Sequence, residues 1–434
     1  MAEHLPFTLR LYRRMTATAT PFAPFLLARR LKHGKENAAR LSERRGQASQ
    51  VRPQGPLIWV HGASVGEMLA ALPLITRLCE QRLNVLVTSG TVTSANLATE
   101  RLPRGAIHHF VPLDTPRFVS QFIRHWRPDL ALFVESDLWP NLILACSEAR
   151  IPLVLLNGRM SEKSFKNWRN APKSAAALLN KFDLCLAQST LDAERFQALG
   201  APRVRAIGNL KLDAPAPPAD AGKLSALTNA IGARPVIAAA STHPGEDEYV
   251  LEAHWRLRQH FPGLLTIIAP RHPERGRGIF DLAASARLPA ALRSFNMLPG
   301  ADTEIYIADT IGELGLLYRA TGMVYMGGSL AAHGGQNPIE AAKLDTAIVH
   351  GPHVWNFKDI YTLLDAARGA AEVTDAGQLT ECFGYWLSHP EARQTTADAA
   401  RKTVERLGGA LDQTMAEIEP YLLQLRLEHR PAGT

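Results

Sequence analysis

Short apolar runs alternate with amphipathic stretches through the first half of the chain, beginning at residue 57. Strands that are apolar on both faces are typical of parallel sheets whose crossover connections are helices. The pattern therefore predicts a doubly wound α/β domain. The runs are LIWVHG (57–62), NVLVTSG (84–90), LALFVES (130–136), IPLVLLNG (151–158) and LCLAQS (184–189).

The same alternation returns in the second half, after a proline-rich stretch without periodicity, KLDAPAPPADAGK (211–223). We therefore predict two Rossmann-like domains, residues 47–212 and 235–434, joined by a linker over 213–234. Residues 388–425 have a helical pattern and could pack on either domain. The apolar runs of the second half are PVIAAAST (235–242), LLTIIAPR (264–271), EIYIADT (304–310), TGMVYMGG (321–328) and TAIVHGP (346–352).

In open α/β sheets, ligands bind beyond the carboxyl ends of the strands. The segments that directly follow the apolar runs are therefore the candidate binding segments. With two such domains facing each other, the predicted site is the cleft between them.

Positive charge is concentrated before the first predicted strand. Residues 1–46 hold ten Lys and Arg against three acids, an excess equal to the +7 net charge of the whole chain. Between Arg14 and Arg29 lies MTATATPFAPFLLA, which is shorter and more polar than the roughly 20 apolar residues of a spanning helix. A basic arm around a short apolar stretch favours binding to an anionic membrane surface. A disordered, solvated tail is the alternative, and no motif points to nucleic acid.

The remaining composition describes an ordinary globular protein, with 46% hydrophobic and 21% charged residues. The four cysteines are scattered and form no CxxC pair, which argues against a disulfide framework or a zinc site and suits a reducing cytoplasm. The sequence contains no HExxH or Walker A motif. That removes the commonest metal-dependent and kinase-type functions.

Carboxylates follow two of the apolar runs in the first half. In HGASVGE, Gly62 and Gly66 permit a tight turn and the close approach of a ligand, and Glu67 falls in the first turn of the next helix. An acid there can simply pair with the helix dipole, but that role needs neither glycine, so we favour a functional carboxylate. In VESDLWPN, Asp137 fits a helix cap, whereas Glu135 at the strand tip is the better candidate for a site residue.

Two segments of the second half carry donors suited to a phosphate. In APRHPERG, Arg271 and His272 follow a predicted strand. DTIGELG (309–315) begins a helix whose N–H groups could hold phosphate oxygens. It is not a GxGxxG fingerprint, which speaks against a dinucleotide cofactor.

The densest signal is GGSLAAHGGQNPIEAA (327–342), where four glycines precede a helix that starts at Asn337-Pro338. This pattern predicts a phosphate cradle, with Glu340 placed to accept ribose hydroxyls. By contrast, STHPGEDE (241–248) fits an ordinary helix start with a Ser or Thr cap and acids in the first turn.

These motifs resemble those of bacterial 3-deoxy-D-manno-octulosonic acid (Kdo) transferases. The resemblance covers about residues 8–425 and rests on HGASVGE, VESDLWPN, NLKLD, STHPGEDE, PRHPER and GGS…HGGQNPIEAA. It implies the glycosyltransferase-B fold and transfer of Kdo from CMP-Kdo to the lipid A precursor (lipid IVA) on the cytoplasmic face of the inner membrane. It also implies an inverting reaction that uses no metal and no other cofactor.

The resemblance further implies roles for individual residues. Glu67 matches the catalytic base, which would take the proton of the attacking sugar hydroxyl. Glu135 and Lys211, the latter in NLKLD, match positions that stabilise the transition state, although spacing alone does not single out Lys211. The residues that match the CMP site are Pro270, Arg271, Ile311, Gly312, Glu313, Asn337, Pro338, Ile339 and Glu340.

The chain departs from the family's commonest form at its N-terminus, where threonine, proline and arginine interrupt a segment that is often a hydrophobic anchor. Two other functions stay open. One is an enzyme of the same fold that uses another nucleotide sugar, or an epimerase. The other is a membrane- or polyanion-binding protein that keeps the fold without catalysis.

Overall fold

The computed structural model describes residues 5–135 and 138–428, which form two compact units. The first unit runs to Ala214 and resumes at Gly408, and the second unit is Pro215–Leu407. Ser136 and Asp137 lie outside the described residues, and with them the predicted helix cap.

The first unit contains a parallel sheet with helices on both faces. Its strands are β1 (Leu57–His61), β2 (Asn84–Ser89), β3 (Ala106–Phe110), β4 (Leu130–Val134), β5 (Leu153–Gly158), β6 (Leu184–Ala187) and β7 (Val204–Ala206). Its helices up to this point are α1 (Phe7–Ala19), α2 (Ala23–Lys32), α3 (Val65–Glu80), α4 (Val92–Arg101), α5 (Pro116–Trp126), α6 (Pro140–Glu148), α7 (Glu162–Arg169), α8 (Pro172–Leu179) and α9 (Thr190–Ala198). The strand order is β3-β2-β1-β4-β5-β6-β7, the Rossmann order extended by one strand.

The second unit repeats this architecture. Its strands are β8 (Val236–Thr242), β9 (Leu265–Pro270), β10 (Ala290–Leu292), β11 (Ile305–Ile307), β12 (Met323–Met326), β13 (Ala347–His350) and β14 (Ala370–Glu372). Its helices are α10 (Ala221–Ile231), α11 (Glu246–Leu257), α12 (Gly276–Ser285), α13 (Leu314–Thr321), α14 (Ile339–Ala342), α15 (Lys358–Ala366), α16 (Ala376–Ser388) and α17 (Pro390–Leu407). The parallel strands lie in the order β10-β11-β9-β8-β12-β13-β14. The final helix, α18 (Ala410–Glu428), belongs to the first unit.

Each central strand contributes side chains to two hydrophobic layers, because successive side chains point to opposite faces of a sheet. In β1, Leu57 and Trp59 enter one core cluster, whereas Ile58 and Val60 enter the other. The second of these clusters also contains the apolar face of α18. Burial on both faces explains why the central strands read as continuous apolar runs.

The observed division differs from the predicted boundaries in two places. The region predicted as a linker over 213–234 contains α10, whose Leu227 and Ile231 are buried, and the second unit starts at Pro215. Residues 388–425 separate, because α17 stays in the second unit while α18 packs on the first.

The N-terminal arm is helical and packed on the first unit. Leu9 of α1 is buried in the core, and the Tyr12 hydroxyl donates to Asp114 Oδ2 at 2.9 Å. Further along, the fully buried Glu43 accepts the Phe110 N–H at 2.8 Å. The alternative of a disordered tail is therefore wrong for residues 5–46. Within 5–135 and 138–428, no helix has both the length and the apolar character needed to cross a bilayer.

Candidate functional site

In the first unit, the strand order reverses between β1 and β4, which are hydrogen-bonded neighbours. Open α/β sheets bind ligands at such a switch point. The segment after β1 carries Glu67 and the segment after β4 carries Glu135, so the two predicted carboxylates follow adjacent strands.

The Glu67 carboxylate turns back onto the start of its own helix. Ser64 caps α3, its hydroxyl lies 2.7 Å from Glu67 Oε1, and the Ala63 N–H donates to Glu67 Oε2 at 2.6 Å. This is a capping box, in which an acid three residues into the helix satisfies N–H groups at its start. Glu67 therefore does have the structural role that its position suggests, and its role as a base remains a prediction.

The two glycines beside Glu67 have different purposes. A Cβ at Gly62 would lie 3.2 Å from the Glu67 Cβ, so Gly62 makes room for the acid itself. A Cβ at Gly66 would meet only the Ser64 hydroxyl, at 3.9 Å, and Gly66 is exposed. The open space above Gly66 leaves the first turn of α3 accessible to a ligand.

Glu135 and Lys211 form an ion pair. The Lys211 Nζ lies 2.7 Å from Glu135 Oε1, and each side chain is mostly shielded from solvent. Lys211 is held in a short 3₁₀ turn begun by Asn209, whose side chain accepts the Lys211 N–H at 3.0 Å. The structure thus brings together two predicted residues that are far apart in the sequence.

The backbone at Glu135 is strained. Its φ is +62°, in the left-handed region that costs a non-glycine residue about 1–2 kcal/mol. A hydrogen bond maintains this backbone conformation: the Glu135 N–H donates to the Leu156 carbonyl at 2.8 Å. Such positions cluster at functional sites, because only surrounding structure can maintain them.

In the second unit, a cavity of about 150 Å³ collects three of the predicted CMP-binding residues. Arg271, Asn337 and Glu340 line it, together with residues that the sequence did not single out for binding: Ser241, Leu314, Tyr318, Met326 and Gln336. Strands β8 and β12, where the order of the second sheet reverses, both end at this cavity.

Arg271 presents a charge that no described carboxylate neutralises. Its N–H donates to the Thr242 carbonyl at 3.0 Å, which fixes the backbone, while its side chain is exposed and makes no ion pair with any residue in the described ranges. The nearby Arg275 is different, because its guanidinium donates to the Thr242 carbonyl and to Asp247. Pro270 is buried at the end of β9, directly before Arg271. Arg271 is therefore the cation suited to an incoming phosphate.

Asn337 and Glu340 form the other wall of the cavity. The Asn337 Nδ2 donates to Glu340 Oε1 at 3.3 Å, and Asn337 Oδ1 accepts the Ile339 N–H at 3.1 Å. Burial raises the pKa of Glu340 above its usual value. Pro338 and Ile339 are buried, so their side chains support the turn rather than face a ligand.

The glycine-rich loop is not a phosphate cradle over its first part, because Glu246 already occupies it. Glu246 is fully buried, and its Oε1 accepts from the Tyr325 hydroxyl at 2.7 Å and from three N–H groups of residues 329–331 at 3.0 Å each. Its Oε2 accepts from the N–H groups of Gly328 at 2.7 Å and His243 at 2.8 Å. An internal carboxylate thus takes the place predicted for a phosphate.

This arrangement also corrects the interpretation of STHPGEDE as an ordinary helix start. Gly245, not a serine or threonine, precedes α11, and no side chain caps that helix. The Thr242 hydroxyl instead donates to Asp247 Oδ1 at 2.6 Å. Of the three acids, only Glu248 is exposed.

Residues Ile311 to Glu313 line a different cavity, of about 460 Å³, which α10 and the segment before it help to form. Glu313 is tied into this wall by Arg293, by the Lys223 Nζ at 2.9 Å and by the Thr310 hydroxyl at 2.5 Å. The hydrogen bonds from Arg293 are the main cause that lowers the pKa of Glu313 to about 2. Ile311 is exposed, and Gly312 adopts a left-handed conformation with a φ of +82°.

The sequence contained a signal for one of the residues it missed. Ser241 is the penultimate residue of β8 and has a φ of +56°, and the Gly327 backbone packs so closely against it that a Cβ on Gly327 would collide with Ser241. A strand end followed by His-Pro-Gly was visible in the sequence. Tyr318 and Gln336 gave no comparable signal, because they reach the cavity only through packing.

One group of side chains has the residue types and spacing of a metal site, within the described part of the chain: His350, Asp365 and Glu372. His350 Nε2 lies 3.0 Å from Asp365 Oδ1, and both acids are exposed. Exposed carboxylates of this kind are common without an ion, and the group includes none of the predicted site residues.

Comparison with solved structures identifies the fold. The chain is similar to a glycosyltransferase from Rickettsia africae, with 14% identity, coverage of 85% of this chain and 99% of that chain, and a TM-score of 0.58. It is similarly close to a putative UDP-N-acetylglucosamine 2-epimerase from Listeria monocytogenes, with 13% identity, coverage of 85% and 97%, and a TM-score of 0.58. At these identities the likeness shows the fold alone, and that fold is glycosyltransferase-B.

Sequence relatives identify the family. Residues 39–214 match the profile described as 3-deoxy-D-manno-octulosonic-acid transferase (kdotransferase). The chain is 36% identical to a probable mitochondrial 3-deoxy-D-manno-octulosonic acid transferase of Arabidopsis thaliana, over 93% of this chain and 94% of that protein. It is 33% identical to the 3-deoxy-D-manno-octulosonic acid transferase of Haemophilus influenzae, over 88% and 91%. The chain therefore belongs to the Kdo transferase family and is a glycosyltransferase.

Proposed function

We propose that the enzyme transfers Kdo from CMP-Kdo to the lipid A precursor lipid IVA, with inversion at the anomeric carbon and without a metal. The observation that carries the proposal for the donor is the cavity of Arg271, Asn337 and Glu340. A phosphate fits the charge of Arg271, and ribose hydroxyls fit the Asn337 amide and the Glu340 carboxylate. These are the parts that a nucleoside monophosphate presents.

Glu67 acts as the base in this proposal. A sugar hydroxyl of the acceptor attacks the anomeric carbon of Kdo, its proton passes to Glu67, and the bond from that carbon to the CMP phosphate breaks. Ser64 and the Ala63 N–H hold the carboxylate in place, which is the positioning that proton transfer requires. The open space above Gly66 supports access of the acceptor to this turn.

The leaving group needs charge neutralisation rather than protonation, because CMP departs as a stable phosphate monoester. Arg271 supplies that positive charge from the second unit. In the first unit, Lys211 balances the carboxylate of Kdo, and Glu135 holds the lysine in position through its ion pair of 2.7 Å.

We further propose that the enzyme works at the cytoplasmic face of the inner membrane, with the arm lying on the bilayer. The arm exposes Phe7, Met15, Phe22 and Phe25, each more than 60% accessible, among its basic residues. An apolar surface of this kind, together with positive charge, favours an anionic lipid surface.

The test is a transfer assay with CMP-Kdo, generated in place because it hydrolyses quickly, and lipid IVA. Wild type, Glu67→Gln and the control Glu80→Gln are compared, the last being an exposed acid at the other end of α3. We expect transfer by wild type and by the control, a loss of roughly 10²–10⁴-fold or more in Glu67→Gln, and retained CMP binding in all three.

Product analysis tests the remaining parts of the proposal. Mass spectrometry counts the Kdo residues added, NMR of the new linkage tests inversion, and a chelator tests independence of metal. Transfer from UDP-sugars with no response to CMP-Kdo would contradict the choice of donor. Full activity of Glu67→Gln would move the base elsewhere, with Glu135 as the next residue to replace.

A further inference from the structure

The arm and helix α5 form an open cavity of about 530 Å³ that none of the predicted site residues lines. Thr20, Pro21 and Pro24 from the arm form one wall, and Pro116 and Arg117 at the start of α5 form the other. Arg45 also lines the cavity, from the 3₁₀ turn Glu43–Arg45. All of these residues belong to the first unit, so the cavity is built entirely within it.

The cavity contains positive charge that is not balanced locally. The nearby acids are already used: Glu36 pairs with Arg30 and Arg44, and Glu43 pairs with Arg40. Neither Arg45 nor Arg117 forms an ion pair with a described residue, and their side chains are half-buried and exposed, respectively. Their positive charge is therefore available to an anion that enters the cavity.

Two arginines point to a phosphate as that ligand. Guanidinium groups bind phosphate oxygens through paired, charge-assisted hydrogen bonds. The turn that carries Arg45 packs closely on α5, because Gly46 has a φ of +75° and a Cβ there would collide with the Phe118 carbonyl. The arginine that precedes Gly46 is therefore held in place before any ligand arrives.

The mouth of the cavity indicates that the phosphate belongs to a lipid. The same short segment that lines the cavity with Pro21 and Pro24 exposes Phe22 and Phe25, which are 72% and 76% accessible. A ligand whose phosphate lies in the cavity would thus have apolar surface next to its remaining parts. Inorganic phosphate or a soluble sugar phosphate would make no use of these phenylalanines.

The cavity also lies at the correct edge of the sheet. Helix α5 follows β3, and Glu67 follows β1, so both lie beyond the carboxyl ends of parallel strands. The two segments therefore follow strands that are next-nearest neighbours in the sheet order β3-β2-β1.

We propose that this cavity binds a phosphate group of the acylated acceptor and so positions its hydroxyl for transfer. The inference rests on the proposed function, because it assigns a binding site to that acceptor. Arg45 and Arg117 hold the phosphate, and Phe22 and Phe25 contact the acyl chains or the bilayer around them.

The test measures transfer in neutral detergent micelles with lipid IVA and with the same lipid lacking its phosphates. Arg45→Gln and Arg117→Gln are compared with Arg29→Gln, which removes one charge from the exposed face of α2. We expect each cavity variant to raise the KM for lipid IVA roughly tenfold or more, with the KM for CMP-Kdo unchanged and Arg29→Gln close to wild type. With the dephosphorylated lipid, wild type and the cavity variants should have similar KM values.

Several outcomes would overturn the inference. Equal KM values for Arg45→Gln, Arg117→Gln and Arg29→Gln would do so, as would the same penalty on the dephosphorylated lipid. If Arg45→Gln misfolds, two other variants still test the site. Arg117→Gln replaces an exposed side chain, and Arg45→Lys keeps the positive charge. If the cavity variants lose binding to phosphatidylglycerol vesicles and Arg29→Gln does not, the cavity binds the phosphate of a bulk membrane lipid instead. Competition by inorganic phosphate as effective as that by lipid IVA would assign it to a soluble ion. If wild type transfers no Kdo at all, the proposed function fails rather than this site.

Discussion

Replacing the buried carboxylate of Glu246 tests whether the glycine-rich loop depends on an internal anion. In Glu246→Gln, the amide oxygen can keep the four hydrogen bonds now accepted by Oε1. The amide nitrogen must then face the N–H groups of Gly328 and His243, two donors that lose their acceptor. Hydrogen bonds to a charged group contribute about 1.5–3 kcal/mol each, so the loss should be about 3–6 kcal/mol.

The assay is calorimetric unfolding of wild type, Glu246→Gln and the control Glu248→Gln, an exposed acid in the same helical turn. A loss of this size should lower the melting temperature of the second unit by roughly 10 °C or more, whereas the control should stay within about 2 °C. CMP affinity should fall as well, because the loop leads directly to Asn337. Melting temperatures within 2 °C of each other for Glu246→Gln and Glu248→Gln would refute the reasoning.

Three further changes have defined outcomes. Lys211→Met and Glu135→Gln should each lower kcat by roughly 100-fold. Because the pair acts as a unit, the kcat of the double variant should be no lower than that of the less active single variant. Losses of kcat that multiply in the double variant would contradict this. Hydrogen bonds from Arg293 lower the pKa of Glu313 to about 2, so its ionised form stabilises the fold fully above pH 4.5 or so. The stability gap between wild type and Glu313→Gln should therefore shrink as the pH falls from about 4.5 towards 2, and a gap that does not change over this range would refute the assignment. Phe25→Ser should reduce co-sedimentation with anionic vesicles while leaving kcat in micelles unchanged, and equal sedimentation would exclude Phe25 from the membrane contact.

The sequence pattern predicted the interior of both sheets and missed their edges. All ten predicted strands correspond to observed strands inside the two sheets, whereas the four it missed, β3, β7, β10 and β14, are the outermost strands. Edge strands are covered on fewer sides, so they are short and partly polar: β3 reads AIHHF and β7 reads VRA. Hydrophobic runs identify strands only where burial on both faces demands them.

The candidate site divides in the same way. Glu67, Glu135 and Arg271 follow central strands, and their positions after apolar runs were sufficient to select them. Lys211 follows β7, an edge strand that the pattern missed, so only the resemblance to a family singled it out. The contact between Lys211 and Glu135 depends on the packing of distant segments, which local periodicity does not contain.

Glu246 shows a different limit of sequence interpretation. An acid in the first turn of a helix and four glycines elsewhere each had a sufficient local explanation. Their actual relationship, a carboxylate that fills the glycine-rich loop, joins segments 80 or so residues apart through the adjacent strands β8 and β12. The acid and the glycine-rich loop could each be recognised in the sequence, but the contact between them could not.

The return of α18 to the first unit means that the chain passes between the two units twice, after Ala214 and after Leu407. In genetic terms the second unit is an insertion within the first, not an extension of it. A fragment that stops at Ala214 would leave bare the apolar surface that Ile418 and Leu422 cover. Exchange of the second unit between relatives should therefore use two junctions and leave α18 with its own partner. A chimera joined at one point would pair an α18 from one parent with a sheet from the other.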